Sequence, residues 1–352
     1  MRIGVVGCGY WGAKHVRVLS SLSGVDRVTL IDPDERHREA LSSKFGTAST
    51  FPSLESALSY VDAVIIATPP GSHTELALTA LRSGKHVLVE KPLATSSSEA
   101  ALIINAARRS NRVLMVGHTF EFNPVVRELR RRLDQGELGD VYYIHSSRFN
   151  IDLYRSDVNV IWDLAPHDIS IMNFLLRSIP TSVTAWGTSG DHVDVAYVRL
   201  HYSRIGVTGY IHVSWLDPKK MRQFTVVGRH KVAAYNDMDP DGPLKIVERE
   251  AESSESGESD SGWPLTYRYG RSTTPSIDFQ EPLALEDQHF LDCILNERTP
   301  ETDGFNGLVV VATLEAAERS LRVGRPVELE LPNGPAVTYA RGSIAFDSIG
   351  AQ

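Results

Sequence analysis

Met1-Arg-Ile-Gly-Val-Val-Gly7-Cys-Gly9-Tyr10-Trp11-Gly12 opens the chain, and its reading decides the fold. Residues 3–6 form a short apolar run rich in β-branched side chains. Gly7, Gly9 and Gly12 follow in the spacing G-x-G-x-x-G, with Tyr10 and Trp11 between them. A helical pattern then occupies residues 13–21. Strand, glycine turn and helix, in that order, are what a dinucleotide site requires. Gly7 permits the tight turn, Gly9 lets backbone approach a pyrophosphate, and Gly12 lets the helix pack closely on the strand. The helix start offers its N–H groups and the positive end of its dipole to the anion. A second strand, residues 28–31, ends at Asp32, 20 residues past Gly12, where a carboxylate takes ribose hydroxyls and repels a 2′-phosphate. NAD is thereby favoured over NADP, although Arg36 and Arg38 stand close enough to soften the preference.

The same alternation continues. A helix is expected over 35–45, a buried strand over 63–67, and a helix over 73–82 opened by Ser72 and Glu75 in capping-box spacing. A strand at 86–89, a helix at 97–109 and a strand at 113–116 complete a doubly wound parallel sheet. Gly7, Asp32, Thr68 and Lys91 all fall at the carboxyl ends of these strands, where such sheets bind ligands.

The pattern changes near Asn123. A helix over 124–133 is followed by longer, alternating β segments at 141–148, 182–186, 193–201, 207–213 and 223–227, as in an open, mostly antiparallel sheet. An apolar helix over 167–176 interrupts them. The acidic, low-complexity run 248–262 reads as a solvated loop, and two further helices are expected over 283–295 and 307–321. The domain reading is a Rossmann domain over 1–122, an α+β substrate and oligomerisation domain over 123–325, and a tail over 326–352. A broad, half-apolar sheet face makes a homo-oligomer, dimer or tetramer, the natural expectation.

Bulk properties narrow the function classes. The chain has 352 residues, a formal net charge of −8, 42% hydrophobic and 23% charged residues. Nothing in it forms a basic footprint for nucleic acid. Two cysteines, Cys8 and Cys293, suit a reducing compartment. No apolar run approaches membrane-spanning length, and the first strand begins at once, so a soluble cytoplasmic protein is expected. No Cys/His cluster has metal-ligand spacing, so no metal is expected.

Two stretches could carry chemistry. Glu90-Lys91-Pro92 closes a strand at the carboxyl edge, where an ammonium would stand near a nicotinamide. Trp162-Asp163-Leu-Ala-Pro166-His167-Asp168 places Pro166 where only a helix's first turn tolerates it. On that reading Asp163 precedes the helix and His167 lies in its first turn, where the dipole favours a neutral imidazole fit to act as a base. Asp163 as a cap and His167 as a satisfied buried histidine explain the same residues equally well.

Together, the glycine loop, Glu-Lys-Pro at 90–92 and Asp-x-x-x-His at 163 and 167 resemble the Gfo/Idh/MocA oxidoreductases. The resemblance runs from Met1 to about residue 321. It implies a Rossmann domain, an open-faced α+β domain, a bound nicotinamide cofactor and oligomers formed through the open sheet. It carries the family's catalytic lysine, aspartate and histidine onto Lys91, Asp163 and His167. Its nicotinamide-side segment matches Thr68-Pro69-Pro70 with His73, and Asn123-Pro124 resembles its junction segment. Residues 155–167 resemble members acting on sugar nucleotides, which implies oxidation at C3 of a UDP-N-acetylhexosamine. Lys91, Asn123, Arg148, Arg155, Asp163 and His167 are the expected substrate contacts, the two arginines for a phosphate, although surface ion pairs explain those two equally well. Alternatives are an inositol or polyol dehydrogenase of the same family, and a cofactor-binding regulator without chemistry.

Overall fold

The computed structural model describes residues 1–47, 49–150, 158–188, 193–240, 242–253 and 265–332. The chain divides into two units. One contains Met1–Asn123 and Gln280–Glu315, the other Pro124–Phe279 and Ala316–Leu329. Residues 280–315 therefore return to the first unit, whereas the sequence reading put them in the second.

The first unit holds β1 (Arg2–Val6), α1 (Tyr10–Leu19), β2 (Arg27–Ile31), α2 (Glu35–Phe45), β3 (Ser49–Phe51), α3 (Leu54–Ala57), β4 (Ala63–Ile66), α4 (His73–Arg82), β5 (His86–Glu90), α5 (Ser97–Ser110) and β6 (Leu114–Gly117). The strands form one six-stranded parallel sheet in the order β3-β2-β1-β4-β5-β6. Chain order reverses beside β1, between β2 and β4, and ligands bind outside the strand ends at such a switch point. All four residues of β4 are buried, as expected of a strand covered on both faces. Helix boundaries follow local chemistry. Asp34 caps α2 by accepting from the Arg36 amide, and Gly46 ends it in the left-handed region. Ser96 caps α5 through the Glu99 amide. The expected capping box at Ser72 is absent. Ser72 Oγ instead donates to Thr68 Oγ1 (2.7 Å) and the Pro69 carbonyl (2.9 Å), because a 3-10 turn precedes α4 and holds Ser72 in helical backbone.

The second unit begins with α6 (Pro124–Asp134) and continues through β7 (Val141–Phe149), α7 (Val160–Leu176), β8 (Ser182–Gly187), β9 (Val195–Tyr202), β10 (Val207–Ser214), β11 (Met221–Gly228), β12 (Lys231–Asn236), β13 (Leu244–Ser253) and β14 (Leu265–Thr273). Next, α8 (Pro282–Leu295) lies in the first unit, α9 (Gly304–Val323) passes from the first to the second, and β15 (Val327–Glu328) ends the described elements. The second sheet has nine strands, β14-β13-β12-β11-β7-β10-β9-β8-β15. Among the described residues only its β7–β10 pairing is parallel. In β9, buried and exposed residues alternate strictly from Ala196 to Tyr202, the signature of a sheet covered on one face.

Three sequence expectations need correction here. The run from Glu248 to Ser253 is strand rather than loop, since β13 pairs with β12 on one side and β14 on the other. Acidic composition does not report the ladder partners that satisfy a backbone. The rest of that run, 254–262, lies outside the described residues. Strands β3, β12 and β14 were not expected at all. The apolar helix also starts seven residues early, at Val160, because Asn159 caps it by accepting from the Ile161 and Trp162 amides (3.0 and 3.2 Å). Pro166 is thus interior, and His167 lies two turns in, so the dipole argument for its neutral form falls. Asp163 is in the first turn rather than ahead of the helix.

Candidate active site

The glycine loop fits a dinucleotide at each glycine for a different reason. Gly7 has φ +92°, and a Cβ there would meet the Ala67 carbonyl oxygen at 2.8 Å. A Cβ on Gly12 would stand 1.8 Å from the Gly7 carbonyl oxygen, so only glycine lets α1 approach β1. Gly9 has no neighbour within 4 Å of its Cβ position, which leaves the approach to its backbone open. Gly9 also caps α1 with no side-chain hydrogen bond, and α1 has no acidic residue in its first turn. An anion is therefore the natural cap. Tyr10 is largely exposed, and Lys14 Nζ stands over the Tyr10 and Trp11 rings at 4.4 and 4.5 Å.

At the end of β2, Asp32 is 8% exposed. Its Oδ2 accepts from the Cys8 amide (2.7 Å) and its Oδ1 from the Asp34 amide (2.8 Å). The carboxylate is thus fixed beside the glycine loop, with lone pairs left for hydroxyl donors. Arg36 is held by Asp34, and Arg38 donates to the carbonyls of Asp32 and Pro33. His37, which sequence reading passed over, has Nδ1 3.6 Å from Asp32 Oδ1.

On the next strands, the fully buried His73 ring places its nitrogens 2.9 Å from the Pro92 carbonyl and 2.8 Å from the Thr68 carbonyl. It ties Thr68-Pro69-Pro70 to the Lys91 turn. Burial pulls its pKa down, against both carbonyls. Lys91 is half-buried directly after β5, and its peptide bond to Pro92 is cis. Its amide donates to Glu90 Oε2 at 3.1 Å. On the adjacent strand end, His118 is 1% exposed and both its ring nitrogens lack a hydrogen-bond partner. Burial, with Lys91 nearby, lowers its pKa to about 4, so it is a neutral imidazole. Asn123 is buried where a short 3-10 turn ends.

In the second unit, Asp163 and His167 stand four residues apart on α7 and so share a face. Trp215 Nε1 donates to Asp163 Oδ2 at 3.1 Å, fixing that carboxylate. The helix itself is seated by Gly209 on β10, where a Cβ would meet Met172 Sδ at 2.7 Å. Asn159, besides capping, donates to Glu318 (2.6 Å). Arg148 does not stand open for a phosphate. It is 6% exposed and forked onto Asp168, Nε to Oδ2 at 2.8 Å and Nη2 to Oδ1 at 3.2 Å. That pair fastens α7 to β7, because a buried guanidinium needs a carboxylate to offset its desolvation. Arg155 lies outside the described residues.

Sequence reading missed His15, Asp287, His118, Asn159 and Trp215. A polar residue on an apolar helix face was the available signal for His15, and an Asn before a helical run was the signal for Asn159. Among the described residues no group of His, Cys, Asp and Glu could hold a metal, and no helix is long and apolar enough to cross a membrane.

Comparison with known proteins agrees with this fold. The oxidoreductase family Gfo/Idh/MocA, NAD-binding Rossmann fold, matches residues 1–118, and the Gfo/Idh/MocA C-terminal domain matches residues 126–233. The chain belongs to the Gfo/Idh/MocA family. Its parallel sheet is that family's NAD-binding Rossmann domain. An uncharacterized oxidoreductase of Streptococcus pneumoniae is 30% identical over 58% of this chain, which spans 60% of that relative. A UDP-N-acetylglucosamine 3-dehydrogenase of Acidithiobacillus ferrooxidans is 27% identical over 89% of this chain and 94% of its own length. Among solved structures, GenD2 from gentamicin A biosynthesis, in complex with NAD, superimposes with a TM-score of 0.78 at 25% identity, covering 94% of this chain and 96% of the other.

Proposed function

We propose that this Gfo/Idh/MocA protein is an NAD-dependent dehydrogenase that oxidises a secondary hydroxyl of a sugar or sugar nucleotide, with C3 of a UDP-N-acetylhexosamine as first candidate. The observation that carries the reading is Lys91, at the carboxyl end of β5 and tied through His73 to the Thr68 segment beside the glycine loop. NAD, when bound, supplies the hydride acceptor. Gly7, Gly9 and Gly12 with the start of α1 hold its pyrophosphate, Asp32 its ribose hydroxyls, and Thr68–Pro70 flank its nicotinamide. The Lys91 ammonium stabilises the charge that develops on the substrate oxygen. His167 takes the hydroxyl proton at a ring nitrogen, and Asp163, held by Trp215, orients His167 or the substrate. Arg148 is left out because Asp168 occupies it. The relative from Acidithiobacillus ferrooxidans supports the sugar-nucleotide choice.

The open face of the nine-stranded sheet is the proposed homo-oligomer interface. Trp186 stacks on Tyr197 (5.8 Å) and Tyr197 on His212 (4.0 Å), and Trp186 and Tyr197 are 50% and 40% exposed.

A panel of UDP-N-acetylglucosamine, UDP-N-acetylgalactosamine, myo-inositol, scyllo-inositol and glucose, each with NAD or NADP, tests the reading by absorbance of reduced cofactor. A UDP-sugar with NAD should exceed the free polyols in kcat/KM by about a hundredfold, since the nucleotide adds binding energy. A cyclitol as best substrate would move the assignment to the inositol class. Tight NADH binding with no turnover of any compound would point to a regulator.

A further inference from the structure

Three residues beyond the last glycine of the loop, α1 carries His15, whose ring is fully buried. Its Nε2 lies 3.1 Å from Glu90 Oε1 at the end of β5. Its Nδ1 lies 2.9 and 3.2 Å from the two carboxylate oxygens of Asp287 on α8. Neither Glu90 nor Asp287 exceeds 5% exposure. The other oxygen of Glu90, Oε2, accepts the Lys91 amide at 3.1 Å. A continuous row therefore runs Asp287, His15, Glu90, Lys91 backbone, and it joins the cofactor helix to the turn that bears Lys91.

A neutral imidazole has one N–H and cannot donate to two carboxylates. The row must hold two protons among three groups, so it carries one net negative charge whichever group holds them. Burial pulls the His15 pKa down, but Asp287 and Glu90 outweigh it and the result stands well above the ordinary value. Burial pushes Glu90 up, but His15 outweighs that and holds it ionised. Glu286, next in sequence to Asp287, is raised well above the carboxylate range by burial and by the Glu90 charge. A buried ionic row is costly to desolvate, and apolar side chains of the same volume would fill the space at less cost. Packing alone does not account for it.

We infer that His15 and Asp287 are positioning residues for Lys91: they clamp Glu90 from behind, and Glu90 fixes the backbone amide on which Lys91 is mounted. The inference rests on the reading of Lys91 as the group that stabilises the reacting oxygen. His15 sits on the helix that begins at the glycine loop, so the clamp sets the distance between the cofactor's binding helix and the catalytic ammonium.

The test exploits a difference between two amides. In His15→Asn the amide falls where Nδ1 stood, keeping Asp287 and losing Glu90. In His15→Gln it falls where Nε2 stood, keeping Glu90. With the full chain, NAD and the best compound of the panel above, His15→Asn should lower kcat about tenfold to a hundredfold with KM for NAD within about twofold, and His15→Gln should recover most of the loss. A packing role alone would harm both variants alike. Hydrogen exchange at the Lys91 amide, in the NADH-bound protein, should be slow in the parent and in His15→Gln and fast in His15→Asn. This readout needs no substrate and decides the clamp if nothing in the panel turns over. Should His15→Asn fail to fold, the pair His15→Gln and Glu90→Ala provides the same contrast. Slow Lys91 exchange and parental kcat in His15→Asn, beside an inactive Lys91→Ala, would overturn the clamp alone. Parental turnover in Lys91→Ala would overturn both the clamp and the reading beneath it.

Discussion

The two sheets use their strands in opposite ways. In the parallel sheet, β4 is buried along its whole length, and β1, β2 and β5 are buried over their last four residues. The core consumes every side chain there, so function can begin only where a strand stops. Gly7, Asp32, Thr68, Lys91 and His118 all stand just past such ends. In the nine-stranded sheet, β9 alternates, leaving one face free for rings and charges. Yet Asp163 and His167 come from α7, the helix packed on the other face, and the free face is taken up by stacked aromatics. On the proposed reading, a covered sheet delivers chemistry at its edge, and a half-covered sheet delivers it on the helix that covers it.

The largest expected effect lies at the strand end. Lys91→Ala should lower kcat by about 10³-fold, roughly 4 kcal/mol of transition-state stabilisation. His167→Ala should lower it by about 10²- to 10³-fold. Both should leave the NADH dissociation constant within about threefold, as read by fluorescence titration. Equal losses in kcat and in NADH affinity would instead make Lys91 a cofactor anchor.

A smaller effect separates folding from binding within the glycine loop. Gly12→Ala puts a methyl 1.8 Å from the Gly7 carbonyl oxygen. The helix must move, at about 3 kcal/mol, so both Tm and NADH affinity should fall. Gly9→Ala meets nothing within 4 Å, and Gly9 has an ordinary φ of −76°. Its Tm should stay near the parental value while NADH binding weakens about tenfold or more, about 1.4 kcal/mol. Unchanged NADH affinity in Gly9→Ala would show that the backbone there does not meet the pyrophosphate.

Legibility in the sequence follows the same contrast. Continuous apolar runs between glycine and proline punctuation name five of the six parallel strands almost to the residue, and α2 to both ends, since local pattern alone decides those elements, whereas the three-residue β3 escapes it. The second sheet was half read. Its alternating inner strands were visible, but β12, β13 and β14 depend on pairing partners that no local window contains. At the candidate site, the glycine loop, Asp32, Lys91 and Asp163 with His167 stand out in the sequence as residue types at fixed spacing. The His15–Asp287 contact joins residues 272 positions apart and left no pattern to read. For Arg148 sequence leaves phosphate binding and ion pairing level, and the structure gives the ion pair, buried rather than at the surface, because its partner Asp168 arrives from another element. Pro166 misled because proline's local rule was overridden by the Asn159 cap and by packing of α7 on the sheet.

The smallest effect on chemistry, and the sharpest on assembly, belongs to the free face. If two copies meet through the Trp186–Tyr197–His212 stack by two-fold symmetry, each substituted ring counts twice in the interface. Burying such a ring contributes about 2 kcal/mol relative to leaving it in water, and a buried unpaired carboxylate costs more than that. Trp186→Glu with Tyr197→Glu therefore places four carboxylates in a two-fold interface. Sedimentation should show the parent as an oligomer and the variant as a single chain, with Tm of the monomer lowered only slightly because both positions face solvent within one copy. Turnover per chain should change less than about twofold, since neither ring is near α7 in sequence or on its face of the sheet. A parent that sediments as a single chain removes the oligomer outright, and a variant that stays assembled moves the interface off this face.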